Sequence, residues 1–325
     1  MQRAFVTGGS GFVGRNLIAE LVRRGVQTRA LARSDEAANK VEKAGAEPVR
    51  GDLDDLAEMT DGMRGCDVAF HAAAVVTLWG DPEYFHRVNV QGTQNVIDAA
   101  KAAGVPRLVH VSTEALLAGG EPIVDADESW PYPKKPAGLY PLTKGLAEQR
   151  VLAANDSTLT TVAIRPPLIW GAGDTSVLPQ LIEAVKNGQW VWFSGGDYPH
   201  TTTHVTNVIE GLLLAAEKGK GGEVYFISDG PPRNFREFIT AVLATKGVDP
   251  GKKKAPLWAG HIIARVGEFV WSHVKTKSAP PLPRTVLYVM GQKLTVNDSK
   301  ARRELGYQGK MSFEQGLAEM RGAKG

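Results

Sequence analysis

Short apolar runs alternate with stretches of helical periodicity through the first half of the chain. Strands separated by helices in this order predict an α/β fold built on a doubly wound parallel sheet. The predicted strands lie at 4–7, 27–32, 68–74 and 107–111, and helical spacing is clear at 16–22 and 89–96.

A glycine-rich turn separates the first predicted strand from the first predicted helix. The glycines satisfy two spacings, G-x-G-x-x-G and G-x-x-G-x-x-G, which let the backbone turn sharply and approach a pyrophosphate at a helix amino end. A glycine run alone is often only a loop, but its place between a strand and a helix predicts a dinucleotide site of the Rossmann type. The turn consists of Gly8, Gly9, Ser10, Gly11, Phe12, Val13 and Gly14.

The second strand ends where an NAD-selective site carries an acidic residue. Here Ala32 is followed by Arg33 and Ser34, a guanidinium and a hydroxyl that suit a 2′-phosphate better than a free ribose. The sequence therefore favours NADP(H), and NAD(H) stays open because Asp35 and Glu36 come next. An exposed arginine in a polar turn is the alternative interpretation of Arg33.

Two further strand ends contribute to the predicted cofactor site. Asp52, which Leu53 follows, is placed to accept a hydrogen bond from the adenine amino group. His71 is expected to be a hydrogen-bonded structural residue without a catalytic role. The small residues after it allow a flat cofactor to lie close to the backbone; they are Ala72, Ala73 and Ala74.

Tyr140 and Lys144 stand four residues apart at the start of a predicted helix, and therefore share one face of it. A cation about 4 Å from a tyrosine is worth about 4 kcal/mol at an effective dielectric near 20. That energy would lower the phenol pKa, ordinarily about 10, by up to roughly three units. We therefore expect Tyr140 to exchange a proton in a hydride-transfer reaction. The spacing alone is weak, because an exposed lysine beside a half-buried tyrosine is common in helices.

Ser112 and Thr113 follow the strand at 107–111, at the edge of a parallel sheet where ligands bind. A hydroxyl there is placed to hydrogen-bond a substrate carbonyl. The alternative for either residue is a cap of the next helix or turn.

Together, the glycine turn, these hydroxyls and Y-x-x-x-K resemble the extended short-chain dehydrogenase/reductase family over nearly the whole chain. The resemblance implies that Tyr140 is the proton donor or acceptor, and that Lys144 lowers its pKa and holds the nicotinamide ribose. It further implies that Thr113, or else Ser112, orients the substrate oxygen. Asn89 matches the family's assisting asparagine in N-V-x-G-T-x-N.

Residues 140–155 and 165–174 are similar to the 3β-hydroxysteroid dehydrogenase and sterol-4-carboxylate 3-dehydrogenase group, and to bacterial 2-alkyl-3-oxoalkanoate reductases. This likeness implies interconversion of a secondary alcohol and a ketone at the 3-position of an apolar sterol-like or alkyl oxoacid substrate. It also implies a homodimer and places Pro167 at the cofactor. Arg33, where the steroid enzymes usually carry an acidic residue, favours the reductase direction. A sugar-nucleotide epimerase or dehydratase is the alternative enzyme, and a cofactor-sensing protein without catalysis is a remote third.

The same resemblance divides the chain into two interleaved parts. Residues 1–165, joined by about 200–228, are expected to form the dinucleotide-binding domain. Residues 166–199 and 229–325 are expected to form the substrate-binding part. Within the second half the sequence predicts helices at 177–186 and 208–217 and a short apolar strand at 190–193, whose aromatic residues we expect in the core.

An amphipathic helix is predicted at 257–274. It has three interpretations: a cover over the substrate cleft, a contact with a membrane surface beside the lysines at 252–254, or ordinary core packing. Its polar side excludes a membrane span. The apolar face carries Trp258, Ile262, Val266, Phe269 and Val270, and the polar face His261, Arg265, Glu268 and Ser272.

Composition narrows the function classes. The 325 residues are 43% hydrophobic and 22% charged, which indicates a globular protein rather than a disordered one. A net charge of +3 gives no reason to expect nucleic acid as a partner. Cys66 is the only cysteine, so an intrachain disulfide and a cysteine-based zinc site are excluded. The first residues resemble a strand rather than a signal peptide, and a cytoplasmic location is expected.

Overall fold

The computed structural model describes residues 1–273 and 280–322, and the central feature of the fold is a parallel sheet. The strands, numbered along the chain, are β1 (Arg3–Thr7), β2 (Gln27–Ala32), β3 (Glu47–Arg50), β4 (Val68–His71), β5 (Arg107–Val111), β6 (Ile123–Ala126), β7 (Thr160–Arg165), β8 (Leu168–Trp170), β9 (Trp192–Phe193), β10 (Pro199–His200), β11 (Thr202–His204), β12 (Glu223–Phe226), β13 (Arg233–Asn234), β14 (Lys254–Ala255) and β15 (Leu294–Val296).

The helices flank this sheet and build most of the second half. They are α1 (Phe12–Arg23), α2 (Asp35–Lys43), α3 (Leu56–Met63), α4 (Pro82–Phe85), α5 (Gly92–Ala102), α6 (Leu139–Ala153), α7 (Leu178–Lys186), α8 (Val205–Lys218), α9 (Phe235–Ala244), α10 (Leu257–His273), α11 (Arg284–Met290), α12 (Ser299–Leu305) and α13 (Phe313–Gly322). A π-helical turn spans His86–Gln91, and 3₁₀ turns span Glu114–Leu117 and Ser194–Gly196.

Seven strands form the central sheet in the order β12-β7-β5-β4-β1-β2-β3, and all their pairings are parallel. The chain builds outward from β1 to β3 and then returns to continue from β4 on the other side of β1. The strand order therefore reverses between β1 and β4, which places a ligand crevice at their carboxyl ends. This sheet confirms the predicted doubly wound α/β fold.

Apolar side chains cover both faces of the sheet. On one face, Leu17 and Ile18 of α1 and Leu212 of α8 pack in a buried cluster with the strands. On the other face, Met59 of α3 and Ile97 of α5 belong to a second cluster. Burial on both faces explains why the strand sequences are short continuous apolar runs.

A separate four-stranded sheet, in the order β13-β10-β15-β6, joins three strands of the second half of the chain to β6 of the first half. An aromatic core lies beside it, and Trp192 within that core is only 1% exposed, as the core interpretation of the aromatics predicts. β12, by contrast, pairs with β7 at the edge of the central sheet. The predicted boundaries between a dinucleotide domain and a substrate part stay a prediction.

Two predicted elements in this half have different bounds. The strand expected at 190–193 is only β9, because its partner β14 offers two paired residues. The helix expected from 208 begins at Val205. The ring nitrogen Nδ1 of His204 accepts a hydrogen bond from the Thr206 N–H at 3.2 Å, and this cap starts the helix earlier.

The predicted amphipathic helix is present as α10, with Val274 outside the described residues. Its apolar side faces solvent: Trp258 is 67% exposed and Val266 58% exposed. The buried side consists of small residues, because Ala264 is fully buried and Gly260 lies against Phe193 and Leu287. Ordinary core packing of the apolar face was therefore the wrong interpretation. In the described ranges, no helix has the length and apolarity to cross a bilayer.

Candidate active site

The glycine turn joins β1 to α1 and lies against the end of β4. Gly8 has φ = +72°, and a Cβ atom there would lie 2.6 Å from the backbone nitrogen of Ala73. A Cβ atom on Gly14 would lie 2.1 Å from the carbonyl oxygen of Gly8. Side chains at either position would fill the space that this turn keeps open. The structure therefore brings together the glycine turn and the small residues after β4.

The amino end of α1 has the properties of an anion site. Gly11 precedes the helix, no side chain caps it, and its first turn carries no acidic residue. Its first N–H groups lack intrahelical partners, so the turn favours a negative group such as a pyrophosphate. Ser10 and Val13 are partly exposed here, whereas the Phe12 side chain is buried. The residues present thus fit a dinucleotide.

The other predicted cofactor contacts lie near the ends of β2 and β3. Arg33 is exposed, and the hydroxyl of Ser34 accepts a hydrogen bond from the Ala37 N–H at 3.2 Å, which caps α2. Asp52 is partly buried, and its carboxylate accepts from the Leu53 N–H at 2.8 Å. The Leu53 side chain is buried in the core. The roles of these residues at a cofactor stay predictions.

The ammonium of Lys144 points from α6 onto strand β5. It donates a hydrogen bond to the carbonyl oxygen of Val111 at 2.7 Å and lies 3.2 Å from Nε2 of His110. Lys144 is 3% exposed, and burial lowers its pKa to about 8, a shift that the negative charge of Glu148 opposes. A fraction of the lysine is therefore neutral near pH 8.

The phenol of Tyr140 lies beside Thr113 and Glu114. Burial raises the pKa of Tyr140, the negative charge of Glu114 raises it further, and a hydrogen bond with the Thr113 side chain lowers it. The expected lowering by Lys144 is therefore not observed in this structure, because β5 holds the ammonium. Tyr140 is therefore a protonated phenol at neutral pH.

The two hydroxyls after β5 have different environments. Thr113 Oγ1 donates to Glu114 Oε2 at 2.9 Å and accepts from the Ala115 N–H at 3.2 Å, so it also caps the 3₁₀ turn. Ser112 Oγ is buried and has no hydrogen-bond partner within the described part of the chain. Of the two, Thr113 is the one whose hydroxyl lowers the pKa of Tyr140.

Asn89 connects α6 to the loop after β4. Its Nδ2 donates to Thr143 Oγ1 at 3.0 Å, and its Oδ1 accepts from the Val75 N–H at 2.7 Å. It lies in the π-helical turn, not in the regular helix that was predicted across 89–96. Asn89 thus positions the residue next to Lys144.

With this geometry established, similarity to known proteins decides the family. The sequence model of the 3-beta hydroxysteroid dehydrogenase/isomerase family matches residues 5–257. The chain belongs to this family. A 4-hydroxy-2-methyl-3-oxo-4-farnesyl-3,4-dihydroquinoline-1-oxide ketoreductase of Stigmatella aurantiaca is 50% identical, over 99% of this chain and 96% of its own. A 2-alkyl-3-oxoalkanoate reductase of Stenotrophomonas maltophilia is 36% identical, over 98% of each chain.

Solved structures extend the likeness to enzymes of sugar nucleotides. A UDP-glucose 4-epimerase of Thermotoga maritima, solved with UDP-glucose, has a TM-score of 0.75 over 98% of this chain and 97% of its own, at 20% identity. Identity at that level shows the fold alone. The predicted family, and with it a dehydrogenase or reductase rather than a cofactor sensor, is confirmed by the relatives.

Two more residues singled out from the sequence, His71 and Pro167, lie at strand ends. His71 is fully buried, and its ring nitrogens lie 2.7 Å from Thr7 Oγ1 and 2.9 Å from Thr93 Oγ1, as the structural interpretation predicts. Burial and the charge of Lys144 lower the pKa of His71 to about 3. Pro167 is buried between β7 and β8.

Sequence reasoning did not single out His110 or Glu114. His110 sits in an apolar strand, and only the packing of α6 shows that it contacts Lys144. Glu114 directly follows the two predicted hydroxyls, which was the available signal, but an acidic residue there also suits the first turn of a helix. Its burial, at 3% exposed, is a tertiary property.

Proposed function

We propose that this protein is an NAD(P)-dependent oxidoreductase that interconverts a secondary alcohol and a ketone on an apolar substrate. The packing of α6 on the end of β5 and on the turn after it, where Lys144 donates to the Val111 carbonyl oxygen, supports the proposal because it brings Tyr140 to the strand end that carries Thr113. It combines a proton donor and a second hydroxyl at the edge of the sheet where α/β folds bind ligands.

Tyr140, Thr113, Lys144 and Asn89 have different roles in this reaction. A bound nicotinamide would exchange the hydride with the substrate carbon. Tyr140 exchanges the proton with the substrate oxygen, and Thr113 orients that oxygen. The raised pKa of Tyr140 keeps the phenol protonated, which is the form required of a proton donor in ketone reduction. Asn89 holds α6 in place through Thr143, and Lys144 would hold the ribose of a bound cofactor.

NADP(H) is the proposed cofactor, with NAD(H) as the alternative. Arg33 is exposed at the end of β2, where a guanidinium would meet a 2′-phosphate. Ser34 is already used as the cap of α2, so the preference depends mainly on Arg33.

An apolar substrate is supported by the relatives and by α10. The relatives named above reduce a farnesylated quinoline oxide and a 2-alkyl-3-oxoalkanoate, as their names state. α10 packs on α11, and Thr285 of α11 donates to the carbonyl oxygen of Ala137, just before the catalytic helix. The exposed apolar face is thus carried by elements that border the active site.

We further propose that this face rests on an anionic lipid surface, in which an apolar substrate dissolves. Five large apolar side chains on α10 are more than half exposed, and Arg265 is the charged residue among the exposed positions of the described helix. The lysines at 252–254 precede the helix and are exposed. A basic, apolar helix surface of this kind suits the interface of a membrane with acidic headgroups. The five are Trp258, Ile262, Ile263, Val266 and Phe269.

Turnover assays test the central proposal. The purified protein is supplied with NADPH or NADH and with separate panels of alkyl 3-oxoacids, 3-oxosteroids, prenylated ketones and UDP-sugars. We expect saturable oxidation of NADPH with at least one apolar ketone. Saturable conversion of a UDP-sugar without activity on any apolar ketone would establish the epimerase or dehydratase alternative instead.

A further inference from the structure

A buried carboxyl group lies next to the predicted proton donor. Glu114 is 3% exposed in the 3₁₀ turn after Thr113. Its carboxylate accepts a hydrogen bond from the Thr113 hydroxyl at 2.9 Å, and the backbone N–H of Leu168 on β8 is one of the groups that lower its pKa. A carboxylate is rarely buried without a cationic partner, because burial disfavours its charge.

Among the titratable side chains of α6, Tyr140 is the one on which the charge of Glu114 acts. α6 packs against the 3₁₀ turn, and its titratable side chains besides the phenol are Lys144, Glu148 and, in the last turn of the helix, Arg150. Lys144 points to His110 and Val111 on β5. Glu148 is paired with Arg165 of β7. Tyr140 is the α6 group whose pKa the charge of Glu114 raises.

The single hydrogen of the Thr113 hydroxyl cannot serve two acceptors. When Glu114 is ionised, it can only accept, so Thr113 donates to it and has no hydrogen left for Tyr140 or for a substrate oxygen. When Glu114 is protonated, it can donate to Thr113. The Thr113 hydroxyl can then donate its hydrogen bond to Tyr140 or to a substrate oxygen. In the second case the hydroxyls of Thr113 and Tyr140 can both donate to that oxygen.

We propose that Glu114 is a positioning residue of the active site, whose protonation sets the direction of the Thr113 hydroxyl and so permits Thr113 and Tyr140 to donate together. This inference rests on the proposed function. Burial raises the pKa of Glu114 to about 7, although the hydrogen bond from Thr113 lowers it. The two hydroxyl orientations therefore exchange near neutral pH.

The first test is the pH profile of kcat/KM for ketone reduction. In the parent protein we expect kcat/KM to fall about tenfold per pH unit above the Glu114 pKa. Glu114→Gln keeps an N–H donor for Thr113 and a carbonyl acceptor for Leu168, and so imitates the protonated acid at every pH. The Glu114→Gln variant should therefore not show the decrease of kcat/KM with pH, and at pH 6 its activity should lie within about threefold of the parent. Glu114→Ala should be slower at all pH values.

A purely structural role predicts a different pattern. If Glu114 only ties the 3₁₀ turn to β8, both variants should change kcat/KM by a constant factor and keep the parent's fall. That result, with folding verified by circular dichroism, would overturn the proposal. If the decrease of kcat/KM with pH persists in Glu114→Gln and disappears in a Lys144 variant, the titrating group is Lys144 and the proposal fails.

A second measurement does not depend on turnover. Carbon-13 NMR of protein labelled at the glutamate side-chain carboxyl should show one resonance that titrates near pH 7 and is absent from Glu114→Gln. In Thr113→Val that resonance should titrate at higher pH, because the carboxylate loses a hydrogen-bond donor. A Glu114 resonance that titrates near pH 4 would refute the proposal. If the resonance behaves as expected but no ketone is reduced, the proposed function is wrong, whereas the hydrogen bond between Thr113 and Glu114 and its dependence on pH are supported.

Discussion

The side-chain nitrogens Nζ of Lys144 and Nε2 of His110 lie 3.2 Å apart in the interior, between α6 and β5. Burial and the nearby ammonium both lower the pKa of His110 well below its usual value, so the imidazole is neutral and its Nε2 can accept from Lys144. This contact, together with the Val111 carbonyl, fixes the lysine on β5. The pKa of Tyr140 is therefore decided by its own burial and by Glu114.

Tyr140→Phe should preserve the fold and cofactor binding and lose most of the turnover. The substitution removes only the proton-transfer group, which is worth roughly 100-fold to 10,000-fold in rate. Steady-state kcat and a fluorescence titration with NADPH measure the two properties separately. Tyr84→Phe, at an exposed tyrosine, is the matched control and should behave as the parent. Activity of Tyr140→Phe within threefold of the parent would make the phenol structural.

Arg33→Asp should shift cofactor preference from NADPH toward NADH. It replaces a partner for the 2′-phosphate with an acceptor for the free ribose hydroxyls. The ratio of kcat/KM values for the two cofactors is the measurement. Arg64→Asp, at another exposed arginine, should leave the ratio unchanged. An identical ratio in parent and Arg33→Asp would remove Arg33 from the cofactor site.

Gly14→Ala should weaken dinucleotide binding and destabilise the protein by about 1–3 kcal/mol, because overpacking displaces the turn. Its new Cβ atom would meet the Gly8 carbonyl oxygen at 2.1 Å. Gly322→Ala places a methyl group in open space and is the matched control. Urea unfolding and NADPH titration provide the two readouts. Unchanged NADPH affinity in Gly14→Ala would contradict a cofactor role for the turn.

Glu148→Gln should destabilise the protein by about 3–5 kcal/mol, because it leaves Arg165 as a buried charge with a weakened partner. The Arg165 guanidinium contacts both carboxylate oxygens of Glu148, at 2.9 and 2.6 Å, and Tyr132 donates to the same group at 2.6 Å. Glu36→Gln removes an exposed ion pair with Lys40 and should change little. Equal unfolding free energies for the two variants would show that the buried pair contributes nothing.

Val266→Asp should reduce binding to vesicles that contain anionic phospholipid and raise the KM for an apolar ketone presented in them. An aspartate introduces a charge that the lipid interface disfavours and the headgroups repel. Leu56→Asp, on α3, is the control for an exposed apolar residue elsewhere. Vesicle flotation and kinetics measure the effects. The parent protein could instead stay unbound to vesicles and form a dimer that Val266→Asp dissociates. That result would show that the apolar face of α10 contacts a second copy of the chain.

The sequence by itself determined the fold class and the place of the chemistry. Strand periodicity, the glycine spacing and Y-x-x-x-K are local properties, because each reflects a repeat length or a turn within one segment. They correctly located β1, β2, β5 and the helix with Tyr140 and Lys144. His71 could also be interpreted correctly, since a histidine in an apolar strand must find hydrogen-bond partners.

Tertiary structure decided what those residues touch. Lys144 contacts β5 and Glu114 faces Tyr140 only because α6 packs on elements far from it in sequence, and burial then shifts each pKa. The exposure of α10 was equally beyond the sequence. Its periodicity defines an apolar face. The opposite side carries the small residues Gly260 and Ala264, which allow closer packing, and that side therefore packs on the rest of the protein. Periodicity shows that a helix has two faces, and only packing selects the one that is buried.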